Sequence, residues 1–522
     1  MDMMQDASPQ YDTDVVIIGY GPTGIISALT LAKNGIKVTA IEREKSIYPR
    51  ARAVTVNDWT MRIFQDLGVD QDVTRVIEPQ RALRWLTYGG QEVMRVEHPH
   101  STLGITPRFF NIYQPIMESK LRECAAKYQD HLQVNYGEEV ANIEQDEHGV
   151  TVTSRCVDTG VIKTIRAKYA IAADGGSSPS RSMLDIQMQG DTLEQVWIVI
   201  DCRVKRWWPD RDLLTFWTDK ERPVVDIALS AGNHRWEIPL KPGETAEDFD
   251  SNEKVWPLLK ALGHDEKDIE IHQWAFYRHH VRMAETWRSD RVFLAGDACH
   301  LMPPWAGAGM QSGMRDGYNL GWKLAKVIHG ELPEAWLDTY ETERRPNVEF
   351  FTNLAVGLGR VIKQEATEAE IAAMNAVPEN TVTPHEPALI SPPVMVAGWL
   401  RGEIADASIV GRMVPQPIIG TAMGKIGRLD EILNKGFVLL GADCDPRSFL
   451  TEQEKVDWDA LNTSYITLRP KDKHTEDADE LVDIGQGILP WMERYGAKVI
   501  AIRPDKFVAA NDVHGLAVPS LN

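Results

Sequence analysis

Hydrophobic and polar positions along the chain fall into blocks of different period. Asp14–Ile18 (DVVII) is a short apolar run with β-branched residues and reads as a buried strand. A glycine turn follows, Gly19-Tyr20-Gly21-Pro22-Thr23-Gly24, and Ile25–Asn34 then carries a helical period that Gly35 is placed to end. Lys37–Ile41 (KVTAI) predicts a second strand, closed by Glu42. Residues from about 80 to 104 and from about 186 to 285 behave differently. They are rich in Trp and Arg and hold strand-like alternation, as in Val224–Leu229 and Trp236–Leu240. They predict a mainly antiparallel sheet inserted between parts of the first domain. Arg166–Gly176 reads as an apolar strand and a Gly-rich loop, and 291–330 as strand, loop and long helix. A helical stretch runs from about Glu334 to Ala373, and a Pro-rich passage, Val377–Pro393, reads as a linker. Apolar strands at Phe437–Leu440 and Lys498–Ile502 belong to a further α/β unit. No fixed-period repeat is present. The fold class expected is α/β with three parts: a discontinuous Rossmann-like domain (1–80, 105–185 and 286–375), an inserted β-sheet domain (81–104 and 186–285), and, after a linker (376–404), a C-terminal domain (405–522).

Composition narrows the function classes. At about 150 residues per domain, 522 residues suggest two to four domains, and 43% apolar with 25% charged residues is ordinary for a globular chain. The formal charge is −20, from 56 basic and 76 acidic residues. That balance argues against nucleic acid, which needs a basic face, and against an electrostatic membrane anchor. No run of about 20 apolar residues suggests a membrane span, and the acidic N-terminus MDMMQDASPQYDTD reads as no secretory leader. Five scattered cysteines without a CxxC pair point to a reducing, cytoplasmic compartment and to no metal site.

The chemistry begins at Gly19, Gly21 and Gly24. This GxGxxG follows a strand, opens a helix, and has Glu42 about 20 residues on, at the next strand end. The glycines allow a tight turn, close approach of a pyrophosphate and close helix–strand packing, while the helix N-terminus offers amide donors. Glu42 is placed to accept from ribose hydroxyls. Two further loops resemble each other: AIAADGGSSPSR (Ala170–Arg181) and RVFLAGDACHLMPPWAGAGMQSG (Arg291–Gly313). Each has a strand ending in an acidic residue with a glycine beside it. A second strand-end carboxylate can reach the ribityl hydroxyls of a flavin. A helix starting near Met310 turns its positive end toward the flavin edge that becomes negative on reduction.

These motifs, in this order, resemble the class A flavoprotein aromatic monooxygenases of the p-hydroxybenzoate hydroxylase superfamily. The fingerprints are GxGxxG with Glu42-Arg43, the DG motif (Asp174-Gly175), and the GD motif (Gly296-Asp297) followed by Pro303-Pro304. MPPWAGAGMQSGMRDGYNLGWKLA (Met302–Ala325), YPRA (Tyr48–Ala51) and RPDKFVAA (Arg503–Ala510) are similar to the 3-(3-hydroxyphenyl)propionate hydroxylase branch. The resemblance implies non-covalent FAD, NADH or NADPH as a transient donor, and O₂. It implies a C4a-hydroperoxyflavin that hydroxylates a phenolic or related electron-rich ring. It implies a thioredoxin-like C-terminal domain, here without a CxxC because Cys444 stands alone. A dimer is the default expectation.

By the same resemblance, Gly19, Gly21 and Gly24 line the pyrophosphate, Glu42 holds the adenosine ribose and Arg43 lies by the adenine end. Arg52 stands near the pyrophosphate, Gln114 at the ribityl–phosphate region, and Asp174 in the motif linked to both nucleotides. Asp297 binds the ribityl chain, Gly309, Met310 and Gln311 cover the pyrimidine edge, and the Pro304 carbonyl faces the transferred oxygen. His279 and Asp58 are candidates for the proton on the phenol, against the plainer readings of structural residues. Trp217, Arg222 and Trp305 are the substrate candidates, against the plainer readings of core tryptophans and a solvated arginine at a strand start. His234-Arg235-Trp236-Glu237-Ile238-Pro239 partly echoes a halogenase signature whose first tryptophan is missing, and reads as an ordinary strand end. A halogenase, a non-oxygenating reductase or oxidase, and a flavin-bearing scaffold remain the alternatives.

Overall fold

The computed structural model describes residues 10–98, 101–375, 394–402, 404–405, 407–433, 435–473 and 477–521. The Pro-rich passage Val377–Pro393, read as a linker, lies outside these residues.

Five parallel strands form the centre of the first sheet, in the order Val292–Leu294, Ile162–Ala172, Thr13–Ile18, Val38–Glu42 and Leu132–Tyr136. Val15, Val16, Ile17 and Ile18 are almost wholly buried, as a strand covered on both faces requires. Glu138–Gln145 and Val150–Cys156 add an antiparallel meander to the long strand Ile162–Ala172. Helices Pro22–Lys33 and Gly309–Ile328 lie against each other on this domain. Gly313, Gly317 and Gly321 form the seam: a Cβ on them meets Thr23, Ser27 and Thr30 at 2.3, 2.5 and 2.8 Å. Side chains there would force the two helices apart.

The inserted segments make one eight-stranded sheet. Its order is His300–Leu301, Ile269–Ala284, Met188–Val204, Asn233–Pro239, Val224–Leu229, Leu214–Thr218, Ala82–Thr87 and Glu92–Glu97. All pairs are antiparallel except Leu214–Thr218 with Ala82–Thr87. The edge strand His300–Leu301 comes from the GD loop, so that loop is stitched to the inserted sheet by its own backbone. A separate three-stranded antiparallel sheet has the order Thr55–Asn57, Phe109–Asn111 and Glu78–Gln80.

In the C-terminal part, Val438–Ala442 and Ser464–Pro470 run parallel with a helix, Glu452–Ala460, between them, and the hairpin Val499–Ile502/Val508–Asn511 joins antiparallel. That order is the thioredoxin-like arrangement. Cys444 follows the first of these strands, and burial pushes its thiol up, away from a reactive thiolate.

This domain is fastened to the first by buried charge. Arg503 donates to both carboxylate oxygens of Glu343 at 2.7 Å and to those of Asp505 at 2.9 and 2.7 Å. Lys323 donates to Glu343 at 2.7 Å, and the Trp322 indole N–H to Asp505 at 3.3 Å. Arg62 grips Asp430 with two N–H groups at 2.6 and 2.9 Å, both side chains 3% exposed. The RPDKFVAA stretch is therefore a docking element, and its Arg503 and Asp505 are half of the fastening.

Candidate active site

One cavity of about 290 Å³ runs from the glycine fingerprint to the inserted sheet. Its cofactor end is lined by Gly21, Arg52, Gln114, Gly175 and Asp297, and its roof by the loop Leu301–Met310. Gly19 takes φ +93°, and a Cβ there would stand 2.5 Å from the Ala173 carbonyl oxygen. A Cβ on Gly24 would stand 2.1 Å from the Gly19 carbonyl oxygen, so helix and turn touch backbone to backbone. Gly21, by contrast, faces open space within the cavity. The first-turn N–H groups of the helix that it caps have no intrahelical partner. Such a cradle fits a pyrophosphate.

Asp297 gives a second sign of a ligand. Its carboxylate is open to the cavity yet surrounded by protein, and burial pushes it up, although His300 and Arg52 pull the other way. Among the described residues no hydrogen-bond donor reaches it. A cluster of hydroxyls would satisfy it. Arg52 is held by its loop rather than by its side chain. Gln114 Oε1 accepts from the N–H groups of Arg52 and Ala53 at 3.0 and 2.8 Å, and buried Arg235 donates to the carbonyls of Ala51 and Arg52. Glu42 accepts from Tyr20 N–H at 2.7 Å and Glu44 N–H at 2.8 Å, which fixes it at the strand end with lone pairs to spare.

Several expected residues are placed elsewhere. Arg43 is largely exposed and pairs with Glu44, so it does not line the cavity. Asp174 spends its oxygens on its own loop, accepting from Ser178 Oγ and from Ser180 N–H; Gly175 is the DG residue at the cavity. Gly309 and Met310 line the cavity, but the Gln311 side chain turns away. It accepts from Asn57 N–H and Thr60 Oγ1 at 2.9 and 2.8 Å and donates to the Gly307 carbonyl at 2.7 Å. Pro304 lines the cavity, with its carbonyl accepting from Gly307 N–H at 2.8 Å to close the turn.

The two acid–base candidates are not in the cavity wall. Asp58 is 2% exposed and accepts from Ser101 Oγ and Arg108 Nε at 2.6 and 2.9 Å, a closed ion pair at a helix start. His279 sits behind Trp305, edge-on at 5.2 Å; desolvation lowers it to about 4, with Lys363 and His280 adding to the effect. Trp305 itself is in the wall and 7% exposed, set edge-on to Trp197. Trp217 is on the wrong face. Alternation along its strand sends Leu214 and Phe216 to the cavity, while the Trp217 indole donates to Asp226 at 3.1 Å. Arg222 is ion-paired with Glu244 and does not line the cavity.

The segment read as an ordinary strand end is a central strand that carries site residues. In Asn233–Pro239 the side chains alternate: His234 and Trp236 pack with Trp208 and His264, while Arg235 and Glu237 face the other way. Glu237 lines the cavity, and Arg235 anchors the Arg52 loop. Charges at alternate positions of an apolar strand were the available signal. Gln80 is also in the wall, its amide donating to Asn111 at 2.6 Å. A buried trio, Cys299, His300 and Asp316, is tied together at its Asp316 carboxylate: His300 Nε2 lies 2.6 Å from Asp316, which also accepts from Arg344 and Gly296 N–H.

With this geometry in view, the comparisons are decisive. The FAD binding domain family matches residues 12–355, and the HcaD C-terminal domain family matches 411–517. The 3-(3-hydroxy-phenyl)propionate/3-hydroxycinnamic acid hydroxylase 2 of Burkholderia vietnamiensis (strain G4 / LMG 22486) is 33% identical, over 97% of this chain and 95% of that one. The corresponding hydroxylase of Comamonas testosteroni is 32% identical over the same shares. The chain belongs to the FAD-dependent aromatic hydroxylases. In fold the hydroxylase is similar to aklavinone-11 hydroxylase in its complex with FAD and aklavinone, at TM-score 0.79 and 22% identity over 96% of each chain. It is equally similar to the flavin-dependent monooxygenase PieE in complex with FAD and substrate, at TM-score 0.79 and 22% identity over 98% and 99%. The hydroxylase has no described helix long and apolar enough to cross a membrane.

Proposed function

We propose that this hydroxylase inserts one oxygen atom of O₂ into a phenolic ring at the expense of NADH or NADPH. The observation that carries the reading is the continuity of the cavity: the glycine cradle and Asp297 open without a break onto an apolar room walled by Leu214, Phe216 and Trp305. FAD, when bound, supplies the redox chemistry that takes electrons from the nicotinamide donor and passes oxygen to the ring.

The chain's own residues do the rest. Gly19, Gly21 and Gly24 admit the pyrophosphate against the helix N-terminus, and Glu42 takes the adenosine ribose. Arg52, with its loop pinned by Gln114 and Arg235, balances phosphate charge. Asp297 receives the ribityl hydroxyls. Backbone N–H groups at Gly309 and Met310 put the positive end of a 20-residue helix against the flavin. Trp305 and the Pro303–Pro304 turn close the roof and exclude water, so that oxygen is spent on the ring rather than lost as peroxide. One GxGxxG serves the whole chain, which fits a donor that binds transiently. Five free cysteines fit a reducing cytoplasm.

The test is anaerobic reduction of the holoenzyme by NADH and by NADPH, with and without phenols, followed by turnover in heavy-isotope O₂. Faster flavin bleaching with a phenol, and label in the product, are expected. Reduction indifferent to every phenol, with all O₂ recovered as peroxide, would return the reading to an oxidase or reductase.

A further inference from the structure

The substrate room is built almost entirely of hydrocarbon, and its polar exceptions say what enters it. Three charged side chains line the whole cavity among the described residues: Arg52, Asp297 and Glu237. Arg52 and Asp297 belong to the cofactor end, where they feel each other's charge. Glu237 comes from the inserted sheet, beside the Arg52 loop that its neighbour Arg235 holds. It is 7% exposed, and in register it stands between Val199 and Val225 of the neighbouring strands.

No hydrogen-bond donor reaches the Glu237 carboxylate among the described residues. The Arg235 guanidinium is 3.8 Å away, but its charge is already matched by Asp201, which accepts from it at 2.7 and 3.0 Å. Of its five N–H groups two go to Asp201 and one each to the Ala51 and Arg52 carbonyls; the fifth is on Nη1, which stops 3.8 Å short of Glu237. A buried carboxylate left without a donor is costly, and native sites rarely keep one unless a ligand supplies the partner.

From this placement we infer that Glu237 receives the hydroxyl of the substrate, and that the substrate is an uncharged phenol. The inference rests on the hydroxylase reading above. In the step assigned to Glu237, the phenol O–H bond breaks, the proton passes to a Glu237 carboxylate oxygen, and the electron pair stays on the phenolate oxygen to activate the ring. Burial pushes Glu237 up despite Arg235, which makes it a stronger proton acceptor than an ordinary carboxylate. The one cation lining the cavity among the described residues is Arg52, which the reading above assigns to the cofactor phosphate, so a phenol that also carries a carboxylate brings in an unmatched negative charge whichever way the Glu237 proton lies. The curated relatives are named for just such a substrate, an aryl propionate.

Two probes settle the matter: 3-methylphenol, and 3-(3-hydroxyphenyl)propionate, which keeps the ring and hydroxyl and adds a carboxylate. Binding to the FAD-loaded enzyme is read from the change in flavin absorbance, and oxygen transfer from product formed per NAD(P)H consumed. The wild type is expected to bind the neutral phenol at least about tenfold more tightly. Glu237→Gln, checked for unchanged FAD content, is expected to keep the preference for the neutral phenol, since it adds no cation, and to lower product per NAD(P)H with 3-methylphenol by about tenfold or more. Propionate binding as tightly as the neutral phenol in the wild type overturns the inference and leaves the hydroxylase reading standing. A Glu237→Gln variant with unchanged yield overturns it too. If that variant does not fold, the wild-type ratio decides alone. If neither probe binds or gains oxygen, the hydroxylase reading falls, and this inference with it.

Discussion

Replacing Arg503 with methionine tests the account of how the C-terminal domain is held. The cluster contains two acids, Glu343 and Asp505, and two bases, Lys323 and Arg503, with Glu343, Lys323 and Arg503 side chains wholly inaccessible. As built it is neutral. Arg503→Met keeps most of the side-chain volume, removes four short charge-assisted hydrogen bonds, and leaves one negative charge unmatched. Each Arg503–carboxylate contact at 2.7 Å is worth about 6 kcal/mol of gross attraction at an effective dielectric of about 20. Desolvation cancels much of this, and breaking one side of a buried pair costs about 3–5 kcal/mol net. The double variant Arg503→Met/Asp505→Asn restores neutrality, with Lys323 facing Glu343, and should recover part of that loss. The assay is urea unfolding of the holoenzyme followed by tryptophan emission, since Trp322, Trp399 and Trp458 all lie at this junction. A single variant within about 1 kcal/mol of wild type, or a double variant less stable than the single, refutes the reasoning.

The remaining predictions address the cofactor, the room and the acid limb. Asp297→Ala removes the one carboxylate open to the cofactor end and should lower retained FAD at least about tenfold, measured by flavin released on denaturation. Gly24→Ala drives a Cβ to 2.1 Å from the Gly19 carbonyl, and should cost about 1–3 kcal/mol by denaturant midpoint while loosening FAD. Phe216→Leu should shift KM for the phenol severalfold, whereas Trp217→Phe, on the outward face, should leave KM unchanged. Burial pushes the carboxyls of Asp316, Asp430 and Glu343 up, but neighbouring cations (His300 and Arg344, Arg62, and Arg503 with Lys323) outweigh it and hold all three low. Their stabilisation is fully present above the ordinary carboxylate range of about 4 and drains away as pH falls below it. The urea midpoint should therefore be flat from about pH 7 to 5 and drop below about pH 4.

What the sequence made legible was backbone geometry. Gly19, Gly24 and the GD loop answer to steric rules that hold wherever a strand turns into a helix, so their spacing alone placed them. The side chains were a different matter. Trp217 and Phe216 are adjacent in the chain, and only the register of the strand against Ala82–Thr87 and Val224–Leu229 decides which one meets the cavity. The alternation of charges flagged Glu237, but its place in the cavity was hidden for a related reason. Its surroundings come from Val199 and Val225 on strands with their own registers, and its isolation depends on Asp201 occupying Arg235. Asp58 lies outside the cavity wall, with Ser101 and Arg108, some 40 to 50 positions away, closing over it.

The helix Gly309–Ile328 has a consequence for anyone recombining these enzymes. Its first turn lines the cavity with Gly309 and Met310; its third and fourth turns carry Asn319, Trp322 and Lys323 into the junction with Asp505 and Glu343. At 1.5 Å per residue, the two ends of that task are only about 15–20 Å apart along one rigid rod. Lineages that trade C-terminal modules at the linker inherit the rod from one parent and its anchorage from the other. The unit of exchange is therefore not the module but the module together with the four charges that seat it, and compatible parents are those whose charges still add to zero.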